Sequence, residues 1–160
     1  MRAKPRGVAT RRAIEVPRPT QAQRDRAQRI LAHEARGDKS PKGLAAAAER
    51  VCQRLGHHAG KAIGADAFDA LFTRTLTLVR QDFPFLGTVS VKPQAHLKGL
   101  GESVQEQPVR QAADAIVAVV ATFLALLTDV IGEELSLALL VEVWAGSSLD
   151  EVSNCGQAEI

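Results

Sequence analysis

Few residues of this chain are equipped for chemistry. Cys52 precedes the adjacent pair His57 and His58 by five and six positions. A cysteine activated by an imidazole is a nucleophile, and Cys with His is a ligand set for zinc. On one helix such ligands must sit three or four apart to share a face, and this spacing misses. A cysteine between Val51 and Leu55 fits a core position, with the two histidines partly exposed. His33 and His96 add imidazoles, but no spacing joins them to the pair. Asp129, Glu133 and Glu134 form a second cluster. On a continuous helix Asp129 and Glu133 would crowd one face, where paired carboxylates hold a hard cation or do acid–base work. Gly132 lies between them, so the end of one helix and the start of the next account for the same residues without a ligand. The Asp-Val-Ile-Gly-Glu-Glu stretch is still the first place to look for activity.

No other catalytic pattern is present. Gly56, Gly60 and Gly64 lack the Lys-Ser/Thr that completes a phosphate-binding loop. Gly99 and Gly101 have no strand-to-helix context, and there is neither a nucleophile elbow nor a His-Glu-x-x-His pair. No catalytic residue, metal ligand or cofactor is therefore expected. A small enzyme or metal protein built on the carboxylates or histidines ranks third among the functional readings.

The elements that would position these side chains follow from periodicity and breakers. Thr20 can cap a helix running from Gln21 to Arg36, with Gly37 as its stop. Its apolar content is small, so this helix is expected to be peripheral. Ser40-Pro41 starts a second helix, whose Leu44, Ala47, Ala48, Val51, Leu55, Ala59 and Ile63 recur at helical spacing up to Gly64. Asp66 is placed as the cap of a third helix, with Phe68, Phe72, Leu76 and Val79 on one stripe and Pro84 beyond its end. Residues 84–107 are the least helical part. Thr88–Val91 predicts one short strand, with a hairpin to the Leu97 region as its fuller form. Pro108 opens a fourth helix to about Ile131. It is apolar on every face between Ala115 and Leu127, so it should be surrounded by protein. Its charge-free run, Ala115–Thr128, has fourteen residues, short of the roughly 20 that a bilayer requires. A fifth helix runs from Glu133 to about Ala145. The fold class is thus all-α: a compact bundle of about four core helices around a buried central helix (108–131), plus a peripheral N-terminal helix and a short strand near 88–91.

Composition sets the frame. The chain of 160 residues is about one domain with tails. Residues 1–19 read as a basic disordered arm, 20–40 as a peripheral basic helix and linker, 41–146 as the helical core and 147–160 as a flexible tail. Cys52 and Cys155 imply no disulfide framework. The charged start is not followed by an apolar stretch, so no secretory signal is expected and the cytoplasm is the default location. Arg outnumbers Lys by 14 to 6 and Ala is abundant, as in proteins of GC-rich bacterial genomes.

Charge supplies the strongest functional hint. Residues 1–43 hold twelve Lys/Arg against four Asp/Glu, whereas residues 44–160 hold eight against fourteen. A basic arm on a mildly acidic body seeks anionic partners. Arg2, Lys4, Arg6, Arg11, Arg12, Arg18, Arg24, Arg26 and Arg29 are the candidate anion-binding groups, since guanidinium pairs with carboxylate and phosphate in a bidentate way. The arm has no aromatic residue to stack on bases, and it lacks an apolar face to enter a membrane. The helices flanking Gly64 have the connector length of a helix-turn-helix. The second of them is an apolar core helix with only Arg74 and Arg80 as basic groups, unlike a recognition helix. The expected function is a non-enzymatic interaction or regulatory module that docks an acidic protein partner through its basic arm. Self-association to a homo-oligomer through Leu135, Leu139, Val143 and Trp144 accompanies it. A nucleic-acid-associated protein using the Arg-rich region is the alternative.

Overall fold

The structure is a computed structural model that describes residues 18–92 and 96–143. Arg2, Lys4, Arg6, Arg11, Arg12, Trp144, Cys155 and the 147–160 tail therefore lie outside the described residues. The chain is an all-α bundle with one small hairpin. Helix α1 spans Gln21–Ala35, α2 Pro41–Ile63 and α3 Ala65–Asp82. A 3-10 turn, Pro84–Thr88, leads to strands β1, Ser90–Lys92, and β2, His96–Lys98. Helices α4, Leu100–Gln105, α5, Val109–Ile131, and α6, Glu133–Val143, complete it.

Local chemistry sets the boundaries. Thr20 Oγ1 accepts from the Gln23 amide at 3.1 Å, and Gln23 Oε1 accepts from the Thr20 amide at 2.9 Å. This reciprocal box satisfies two donors at the start of α1. Ser40 Oγ accepts from the Gly43 amide at 3.0 Å, and Pro41 takes the first position of α2. Gly64 and Gly132 stand at φ 93° and 91°, where a side chain would be strained, and each ends one helix while starting the next. Asp66 is not the cap of α3, contrary to expectation. The tight Gly64 turn starts the helix two residues earlier, and Asp66 occupies the first turn, where the helix dipole favours its charge.

The 84–107 region is more regular than its proline and glycines suggest. Arg80 donates to the carbonyls of Leu86 and Val89. It thereby holds Thr88 in the turn, and the strand begins at Ser90. Val91 pairs with Leu97 in an antiparallel register. The short helix α4 was not expected. Gly99 adopts φ 92°, turning the chain directly from β2 into helix, and Leu100 and Val104, one turn apart, are both fully buried.

Helix α5 is the centre. Its 23 residues include an 18-residue stretch with a mean hydropathy of 2.2, and so satisfy the length and composition of a membrane span, a length that its charge-free run alone does not reach. In the fold it is enclosed instead, packed by α1, α3, α2 and α6. Phe123 of α5 stacks on Phe72 with ring centroids 4.3 Å apart and meets Phe68 edge-on at 5.0 Å.

Helix α1 is docked more deeply than its sparse apolar content suggests. Ala27, Ile30, Leu31 and Ala35 are buried against α2 and α5. Beside them Glu34 is also buried, its carboxylate between Arg50 Nε at 3.4 Å and Arg54 Nε at 3.2 Å. Arg50 further donates to the Glu34 carbonyl. Cations that compensate a buried carboxylate are costly to remove. The double variant Arg50→Ala, Arg54→Ala should lose about 2–4 kcal/mol in urea denaturation, less than for a fully buried pair because both guanidiniums are half exposed. Glu34→Leu, which fills the same space without a charge, should cost less than that double variant.

Candidate functional site

Docking by Ala27, Ile30, Leu31 and Glu34 fixes the rotation of α1 and therefore the direction of its arginines. Arg24 and Arg29 are exposed, as are Arg18 before the helix and Arg36 at its end. None of these four makes an ion pair among the described residues. At 3.6 residues per turn, Arg29 and Arg36 share the outer face, while Arg24 lies on the flank toward α5. Arg26 differs. It is half-buried, and its Nε is enclosed without a hydrogen-bond partner among the described residues. Of the nine expected anion-binding groups, Arg18 and Arg24 thus form an exposed basic edge, Arg29 lies on the outer face and Arg26 is partly withdrawn. The other five lie outside the described residues.

The basic edge borders a groove. Helices α1 and α3 both pack on α5, and a cleft of about 440 Å³ separates them. Val117 and Ala118 of α5 form its half-buried apolar floor, with Leu78 and Phe83 from the α3 side. Arg18 and Arg24 line the α1 side, Asp82 lines the α3 side and Asp114 lies on α5 beside the floor. A second hollow of about 210 Å³ shares Gln28 and Val117 with this cleft and continues past Leu31, Ala35 and Leu44. The two form one track along α1.

The remaining candidates are placed as follows. Leu135 is 62% exposed on α6, whereas Leu139 and Val143, 9% and 8% exposed, turn into the body. Their burial gives α6 its hold on the bundle and withdraws them from any outer surface, so Leu135 is left with the exposed Val130 and Val141. Asp129, Glu133 and Glu134 are exposed, and the Gly132 break separates Asp129 from the other two. Among the described residues no group of three or more His, Cys, Asp or Glu is placed to hold a metal ion. His57 and His96, unrelated by spacing, line one cleft with Lys61 and Asp69. Only the fold of the hairpin onto α2 brings them together, so no sequence signal could have found this pair.

Two groups on α2 have displaced acidities. Burial pushes the Cys52 thiol well above its ordinary value, with the Glu49 charge adding to the effect. A thiol kept protonated is a poor nucleophile. In a Cys155→Ser variant, an aromatic disulfide reagent at pH 8 should label Cys52 only after denaturation. Burial also raises the Glu49 carboxyl, and the Glu102 charge raises it further, while His96 and Arg50 oppose this. The folded protein then binds the Glu49 proton more tightly than the unfolded chain does. The ionised carboxylate costs stability at neutral pH, and that cost vanishes once the group is protonated in both states. Glu49→Gln should raise the thermal midpoint at pH 7, with the gain fading toward about pH 4. Comparison with known families, curated proteins and solved structures finds no match to this chain.

Proposed function

We propose that this protein is a non-enzymatic docking module that receives an acidic, amphipathic protein segment along α1. The observation that carries the reading is the pairing of unmatched cations with a half-exposed apolar floor. Arg18, Arg24, Arg29 and Arg36 have no carboxylate partner among the described residues, and Val117 and Ala118 lie open between α1 and α3. A helix laid in such a groove buries its apolar stripe on α5. Its carboxylates face the arginine edge, where guanidinium fits them in a bidentate way. The basic residues 1–17 join the structure at Arg18, beside the groove. Their five Lys and Arg against one Glu add positive charge to the chain, which speeds encounter with an acidic partner more than it adds affinity.

The acidic body favours a protein partner over nucleic acid, because a folded nucleic-acid binder carries its positive surface on the domain. Anisotropy with a labelled acidic amphipathic helical peptide tests the proposal. The triple variant Arg24→Glu, Arg29→Glu, Arg36→Glu should bind at least about tenfold more weakly, a loss of about 1.4 kcal/mol. Its melting temperature should be unchanged, because all three side chains are exposed. Wild-type binding should weaken as salt rises. Duplex DNA bound more tightly than the peptide at physiological salt would transfer the reading to the nucleic-acid alternative.

A further inference from the structure

A second cleft, of about 550 Å³, opens where the C-terminal half of α2 meets the start of α3 and strand β2. Its volume falls in the range of small-molecule sites. Hydrogen-bonding groups reach it from three separate elements: His57 and Lys61 from α2, Asp69 from α3 and His96 from β2. Gln53 Nε2 lies 3.2 Å from His96 Nδ1, which steadies the ring and leaves Nε2 as its other polar atom. Phe68, 2% exposed and packed edge-on to Phe123, gives the cleft an apolar base.

Gly60 on the cleft wall has no packing reason to be glycine. A Cβ built there would come no closer than 4.0 Å to another atom, the Ala65 Cα, which is ordinary contact, and its φ is not in the left-handed region. A glycine inside a helix is less stable than an alanine. The missing side chain therefore serves no contact in the bundle, and its visible effect is to keep the cleft open. Cationic and donor groups on α2 and β2 and the acidic Asp69 on α3 line the same cleft, so it offers both donors and an acceptor.

We propose that this cleft binds a small organic acid that also carries a hydrogen-bond donor, of the 2-amino or 2-hydroxy acid class. The carboxylate of the ligand lies toward Lys61, His57 and His96. Its amino or hydroxyl group lies toward Asp69, and its short apolar chain rests over Phe68. An isostere lacking the donor forfeits the Asp69 contact and is discriminated against.

Imidazole resonances of His57 and His96 in the full chain, titrated with 2-aminobutyrate, 2-hydroxybutyrate and butyrate, test this. At least one of the two substituted acids should shift both resonances with a dissociation constant below about 10 mM, and butyrate should bind at least about fivefold more weakly. The two substituted acids separate an amino-acid site from a hydroxy-acid site. Lys61→Met should weaken binding at least about tenfold. Gly60→Leu should abolish it, while Gly60→Ala should raise the thermal midpoint. No shift with either substituted acid at 50 mM (about five times the limit above), equal affinity for butyrate, or undiminished binding by Lys61→Met would each overturn the proposal.

Discussion

Residues 119–127, nine consecutive residues of α5, face every direction around the helix, and all are buried. Such a helix has no side that it can turn to water, so the rest of the chain must cover it. Helices α1, α2, α3 and α6 all take part. The cover is not seamless. Helices α1 and α3 approach α5 from different sides, and the gap between them is the groove with the Val117 and Ala118 floor. The need to bury one element thus produces both the stability of the bundle and a half-buried apolar groove on its surface.

Polar anchoring then decides what that surface displays. Burying Glu34 between Arg50 and Arg54 fixes the rotation of α1 about its axis. That rotation sends Arg24, Arg29 and Arg36 outward and Ala27 and Leu31 inward. Arg80, by contrast, spends its donors on the carbonyls of Leu86 and Val89. Arginines with the same chemistry divide into structural and free groups according to whether backbone or carboxylate acceptors lie within reach.

Features carried by local chemistry were legible in the sequence. Thr20, Ser40-Pro41, Gly64, Pro108 and Gly132 mark helix ends through caps and breakers, and the structure uses each of them. The all-round apolar character of 115–127 identified the central helix. Features set by contacts between distant residues were not legible. The depth of α1 depends on Glu34 meeting arginines sixteen or more positions later. Helix α4 depends on the left-handed turn at Gly99 and on burial of Leu100 and Val104. The grouping of His57 with His96 depends on where the hairpin lands. Burial of Leu139 and Val143 depends on which face α6 offers to α5, a choice that the apolar residues all around that helix leave open.

The order of elements along the chain has a consequence for biosynthesis. Domains are assembled from the amino terminus as the ribosome releases them. Three of the four helices that sheathe α5 precede it, and only α6 follows. The greasiest segment of the protein therefore leaves the exit tunnel after most of its shelter has been made. A chain arranged in the opposite order would release that segment before anything could cover it.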